Sequence, residues 1–426
     1  MTVNYNKEIS TSHPWSFFLL LFRWKGSIWK HVYPELLSFF FIYGAISSLY
    51  RYAMDEPTQR TFESIVRYFD RRLSYIPLEL VLGFFCTLVI NRWTKLYQTI
   101  GFIDNIGLMA ACYVRGKTEE ARIIRRNMIR YSELIQVLVF RDISMRTRKR
   151  FPTLDTVVAA GFMTDEELKL YDSYSTQTNL VTKYWIPANW AIAMTTKAWK
   201  KGYIESEYYK TVMEQEIRTW RTQIEWVCNY DWVPLPLMYP QVVCLAVHLY
   251  FLIAIIARQY IILPHEQNDE IDTYFPIMTV IQFMFYMGWL KVIEAMLNPF
   301  GEDDDDFETN ALIDRNITMG LKIVDDGFDK TPDVRRDIFY DDFEVQPLYS
   351  EESSHTPTHP YIPSASSMKI SESKVTMIPH SESSTHLYKN APNARRSQSV
   401  AGFDELGYRK MQVFMFFKRS GWKMNS

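Results

Sequence analysis

Residues 298–308 read Asn-Pro-Phe-Gly-Glu-Asp-Asp-Asp-Asp-Phe-Glu, and they constrain this chain more than any other stretch. Six acids fall within residues 302–308 with no base among them. So many carboxylates repel one another, and either bulk water or a cation must relieve the cost. Hard oxygen ligands suit Ca²⁺ or Mg²⁺, and Ca²⁺ takes about six to eight of them, backbone carbonyls included. The pattern is not an EF-hand loop, because the glycine precedes the acids and the Asp-x-Asp-x-Asp alternation is missing. On a helical turn Glu302, Asp303 and Asp306 would share one side. Composition alone favours a solvated acidic face over a metal site.

The residues just upstream limit where such a run can sit. Residues 274–290 form an uncharged apolar and aromatic stretch that stops at Lys291. Three more candidates for membrane crossing are residues 36–50, 76–90 and 233–257. The first is shorter than the ~20 residues a helix needs to cross, so residues 32–34 and tilt must supply length. The second carries Glu79. The third is uncharged, and Pro234, Pro236 and Pro240 place its start in irregular or kinked structure. A mean hydropathy of −0.17 over 426 residues fits a few spans attached to a large water-facing part. Aromatics reach 15%, and Trp and Tyr favour membrane–water interfaces. The net charge of −2 gives no general attraction to nucleic acid. Cys86, Cys112, Cys228 and Cys244 show no metal or disulfide spacing and read as reduced thiols. No nucleophile–base set, zinc spacing or phosphate loop suggests an enzyme.

Lysine and arginine set the orientation. Residues 23–30 are basic and tryptophan-rich, after a short apolar run (residues 17–22) that reads as an interfacial or packed helix. Behind the second span come Arg115, Lys117, Arg122, Arg125, Arg126, Arg130 and Arg141, then residues 146–150 with only Thr147 uncharged. The connection between spans three and four carries Glu266, Asp269, Glu270 and Asp272. By the positive-inside rule both termini and the long middle segment are cytosolic, and so is the acidic run. Residues 99–229 read as helical, with Ile123, Met128, Leu134, Val137 and Leu138 at three-to-four spacing. Residues 150–153 break one helix, and Thr164 with Glu167 three positions on reads as a capping box. Beyond about residue 350 the chain turns to Ser, Thr, Pro and His, too few apolar groups to fold. In that tail residues 395–399 form a candidate kinase target, and residues 411–417 a membrane-docking segment or an inert tail.

Taken whole, residues 282–294, 298–310 and 312–316 resemble the bestrophin family, as do residues 23–30, 183–187 and 230–232. The resemblance covers about residues 1–347. It implies an all-α membrane protein of four transmembrane helices per subunit plus a cytosolic helical domain, pentameric around a central pore. On that reading residues 1–30 are a cytosolic segment, 31–98 hold spans one and two, and 99–230 the cytosolic domain. Residues 231–297 hold spans three and four, 298–350 a calcium clasp and C-terminal wrap, and 351–426 a disordered tail. The implied activity is a calcium-activated chloride channel of the cell membrane, a homopentamer in the lipid bilayer. A non-conducting calcium-sensing scaffold that regulates other channels is the alternative.

The resemblance also assigns residues. For calcium, the family uses side chains matching Glu302, Asp303 and Asp306, and carbonyls that fall at Ser10, Ala295 and Asn298, with Ser10 supplied by a neighbouring subunit. Ile76, Leu80 and Phe84 recur every four residues as one apolar stripe. Such a stripe is more often lipid or helix contact, but the matching bestrophin residues line a hydrophobic neck that closes by dewetting. Pro77 suits a first helical turn, whose free N–H groups can meet an anion. A second constriction falls on Tyr208. Two departures stand out: the middle neck residue is usually Phe and here is Leu80, and the residue before it is usually small and polar and here is Glu79. A carboxylate there should be protonated or paired, with Arg71 and Arg72 as candidate partners. Otherwise it points sideways and caps the helix start.

Overall fold

The computed structural model describes residues 3–11, 13–174, 182–262, 275–341, 344–366 and 368. Among them every regular element is helical. In chain order these are α1 (Pro14–Leu21), α2 (Ile28–Tyr52), α3 (Glu56–Leu73), α4 (Leu78–Ile100), α5 (Asp104–Tyr113), α6 (Glu119–Ile143), α7 (Met145–Arg150), α8 (Leu154–Ala159), α9 (Asp165–Ser173), α10 (Trp185–Lys200), α11 (Glu207–Trp232), α12 (Met238–Ala257), α13 (Ile277–Leu297), α14 (Thr309–Asp325) and α15 (Glu351–Ser354).

Three of these, α2, α12 and α13, are long and apolar enough to cross a membrane. A fourth crossing arises if α3 and α4, bent by 47° at residues 74–77, count as one broken span. The short first candidate gains its length at the N-terminal side. Ser27 caps α2 by accepting from the Lys30 N–H, and the 25-residue helix runs through Pro34. The apolar run of the last candidate ends at Lys291, yet α13 continues to Leu297. Lys291 is tolerated there because its Nζ meets Glu35 of α2 at 2.6 Å and Glu294 at 2.9 Å. Pro77 lies outside the first turn of α4, as its cap residue. Helix α3 was not anticipated, because its charges hide its role in composition. Tyr274 and the acids between spans three and four lie outside the described residues.

Two apolar cores form. One gathers Phe39 and Tyr43 of α2, Leu82 and Phe85 of α4, Val247 and Phe251 of α12, and Phe283 and Met287 of α13. The other fills a charged helical bundle, with Met128, Leu134 and Phe140 of α6 against Ala191 of α10, Trp220 of α11 and Ile313 of α14. Helix α4 reaches both, since Leu96 and Ile100 belong to the second core. The middle segment is therefore helical as read, and Pro152 separates α7 from α8. All four cysteines are free.

The expected capping box at Thr164 is present, and it does more than cap. Glu167 also accepts from Arg130 Nη2 and from the Tyr131 hydroxyl, each at 2.6 Å. Burial pushes the Glu167 carboxyl up, but the bonds from Arg130 and Tyr131 outweigh it and hold it at about 2. Because the folded value lies below the ordinary one, the pair stabilises the fold near neutrality, and that contribution is lost as pH falls toward 2. Glu167→Gln leaves Arg130 unpaired and is expected to destabilise the bundle by about 3 kcal/mol. The check is the apparent melting temperature of the full chain in detergent. It should drop at pH 7, and an unchanged value would show the pair to be idle.

Residues from Val334 onward form a separate unit. Its described part is exposed throughout, with one short helix, α15, capped by Ser350. Residues 395–399 and 411–417 lie outside the described residues.

Candidate functional site

The acidic run folds as a loop between α13 and α14, pinned at both ends by aromatic rings. Phe300 and Phe307 are buried in the charged bundle's core, 5.7 Å apart, and Phe300 lies 6.1 Å from Phe140. Phe307 also packs on Trp93 of α4 at 5.4 Å. The hydrophobic effect thus holds a strand of like charges in place that would otherwise expand into water.

Within the loop Asp306 is only 1% exposed. Its Oδ2 accepts from the Asp303 N–H at 2.7 Å, and its own N–H donates to the Asp303 carbonyl at 3.3 Å. Burial drives the Asp306 carboxyl up to about 6, against the lowering effect of that backbone bond. Gly301 makes the turn fit, because a Cβ there would stand 2.8 Å from Asp306 Oδ2. Glu302 and Asp303 are exposed, as is Asn298. Ala295 sits in the last turn of α13, where its helical donor would be the N–H of residue 299; Pro299 has none. Its carbonyl is therefore left without that intrahelical bond. Ser10 is exposed in a turn near the chain start.

Basic residues enclose the loop, and sequence reading had assigned them only to topology. Arg146 of α7 pairs with Glu308 and donates to the Asp303 carbonyl at 2.6 Å. Lys149 pairs with Glu302, and Arg150 meets Asp314 at 2.6 Å. From the N-terminal side Lys30 Nζ meets Asp304 at 2.6 Å, holding that carboxyl below its usual range. The Gly26 N–H donates to the same Asp304 at 3.2 Å. Gly26 has φ +66°, and a Cβ on it would approach Asp305 to 2.9 Å, so glycine is required. The signal for these partners was in the sequence, where two basic runs, 23–30 and 146–150, stand against one acidic run.

Glu302, Asp303 and Asp306 are close in sequence, yet their carboxylates do not converge. Among the described residues no three His, Cys, Asp or Glu side chains gather as a metal-ligating group. Glu302 is drawn to Lys149, and Asp306 turns to the Asp303 N–H. The donor chemistry nonetheless suits a hard cation: a buried carboxyl raised by desolvation, a carbonyl at a helix end facing a proline, and two exposed carboxylates beside them.

Of the expected stripe, Leu80 and Phe84 share one face of α4, while Ile76 lies before the helix. Leu78, Leu82, Phe85, Cys86 and Val89 are buried. On the opposite face Leu80 is 60% and Phe84 65% exposed. A Cβ on Gly83, beside them, would touch nothing within 4 Å. Ile76, in the bend before α4, is half-buried against the membrane core. Glu79 neither caps α4 nor pairs with Arg71 or Arg72: its Oε1 accepts from the Tyr286 hydroxyl of α13 at 2.8 Å. Helix direction explains this, because Glu79 leans toward the helix that packs against α4. Tyr208 opens α11, is exposed, and stacks edge-on to Tyr209 at 6.0 Å.

Apolar helices of membrane length, joined to a charged helical bundle that carries an acidic loop, define an all-α membrane protein. Comparison with known proteins gives the family. The family described as "Bestrophin, RFP-TM, chloride channel" matches residues 1–326. Bestrophin homolog 1 of Caenorhabditis elegans is 67% identical over 410 residues, covering 95% of this chain and 89% of that protein. Bestrophin homolog 2 of the same organism is 66% identical over 404 residues, covering 94% and 96%. A mutant form of a bacterial bestrophin homolog from Klebsiella pneumoniae shares the fold, with a TM-score of 0.53 at 14% identity over 69% of this chain and 99% of that one. This chain belongs to the bestrophin family, a family of chloride channels.

Proposed function

We propose that the chain forms a homopentameric anion channel of the cell membrane, with both termini cytosolic, which conducts chloride when cytosolic calcium binds the acidic loop. The observation that carries this reading is the division of α4 into one packed face and one exposed apolar face. Five copies of Ile76, Leu80 and Phe84 around an axis would make a dry constriction, closed to ions when narrow and open when wetted. Pro77 starts α4 there, with the free N–H groups of its first turn beside the path. Tyr208 supplies the second narrow point, on the cytosolic side.

Calcium would be held by Glu302, Asp303 and Asp306 with the carbonyls of Ala295 and Asn298, and by Ser10 of a neighbouring subunit. Bound there, it supplies positive charge to acids that otherwise share lysine and arginine partners. Two connections lead from loop to neck. Phe307 presses on Trp93, which lies nine residues, or about 14 Å, along α4 from Phe84. Ala295 and Asn298 end α13, whose Tyr286 grips Glu79 at the other end of α4.

Purified protein in liposomes tests the proposal. Chloride efflux should begin when calcium is supplied to the side bearing the termini, and the solubilised particle should have five times the chain mass. Efflux absent at every calcium level, or a monomeric particle that still conducts, would overturn it.

A further inference from the structure

Helix α3 carries a row of arginines. Arg60, Ser64, Arg67 and Arg71 recur at intervals of four, three and four residues, so they share one face, and all are exposed. The acids lie beside them: exposed Glu56 meets Arg60 at 3.8 Å. Glu63 is 2% exposed and accepts from the Tyr50 hydroxyl of α2 at 3.2 Å, while Asp70 meets Arg258 beyond α12 at 3.0 Å. Arg60 and Arg67 share the single Glu63 carboxylate at 3.3 and 3.5 Å. Arg72 lies over the Tyr68 ring at 3.9 Å, and among the described residues no carboxylate pairs with Arg71 or Arg72. Arg60, Arg67, Arg71 and Arg72 outnumber Glu56, Glu63 and Asp70 on α3, and Asp70 is further met by Arg258, so the helix is net positive.

That placement needs a reason. Counted as one bent span, α3 and α4 are apolar enough to cross a membrane, and an arginine at membrane depth faces water rather than lipid. On the proposed orientation α3 lies on the outer side, where the positive-inside rule disfavours arginine. Helix α12 packs against both α3 and α4, and the arginines of α3, like Leu80 and Phe84 of α4, are exposed.

We propose that Arg60, Arg67 and Arg71 form an anion-collecting surface at the outer mouth, which concentrates chloride ahead of the neck. The inference rests on the channel reading. Its physics is steering: a lined cleft of one sign raises the local counter-ion concentration, and salt screens the effect. Glu63, shared between Arg60 and Arg67, keeps the surface from holding chloride tightly enough to block.

Arg71 is the residue to change, since it has no carboxylate partner to lose. Single-channel conductance for chloride entering from the outer side should be compared at about 10 mM and about 1 M salt, where screening lengths are about 30 and 3 Å. Arg71→Gln should lower conductance several-fold in dilute salt, Arg71→Glu should lower it further, and Arg71→Lys should match the wild type. At high salt all four should coincide. Equal conductance of Arg71→Glu and wild type in dilute salt overturns the inference, as does a deficit that persists at high salt. If the wild type passes no anion current, the channel reading itself fails; if it conducts and ignores Arg71, only this inference does.

Discussion

Replacing Ile76, Leu80 and Phe84 together with alanine is expected to leave an anion current that no longer needs calcium. Leu80 and Phe84 stand mostly exposed on α4. Truncating these two opens little space in the subunit core, which Leu82, Phe85 and Val89 fill from the other face, whereas Ile76 packs against that core and its loss costs some stability. The change acts on the width and wettability of whatever space the face lines, and a wider, wetter constriction no longer excludes ions. The measurement is current at zero internal calcium, with surface delivery verified. A triple variant that reaches the surface and stays silent would show that the stripe is not the gate.

The second large effect concerns the loop. Asp303→Asn should shift activation to calcium concentrations at least about tenfold higher, since one charged ligand is lost from the set. Anion preference should not change, because the loop lies well away from the neck. Lys149→Gln should act in the opposite sense, releasing Glu302 from the cation that holds it. Calcium dose–response curves in excised patches separate this account from simple repulsion. If the acids only repel one another, Asp303→Asn should instead raise activity in zero calcium.

Much of this was legible in the sequence. The apolar runs marked the spans, because membrane length and uncharged composition are one-dimensional properties. The spacing of Leu80 and Phe84 gave the exposed face of α4, though Ile76 falls half-buried in the bend before it, and Thr164 with Glu167 gave the cap. What escaped depends on pairing across the fold. The basic run 146–150 was legible as charge, but its role as counter-charge to residues 302–308 exists only once α7 lies beside the loop. Tyr286 as the partner of Glu79, 207 residues away in the chain, required the packing of α13 on α4. Phe300 and Phe307 were part of the motif, but only their burial shows that they anchor it. Helix α3 went unseen because its alternating charges suggest a loop until Glu63 is found buried against Tyr50.

The most direct test of the central claim is current across an inside-out patch holding the wild-type protein, with a chloride gradient and stepped calcium on the cytosolic face. The account predicts a current that rises with calcium, falls on its removal, and reverses near the chloride equilibrium potential. A protein present at the surface that passes no current at any calcium concentration would contradict it, and would leave a calcium-sensing scaffold as the better description.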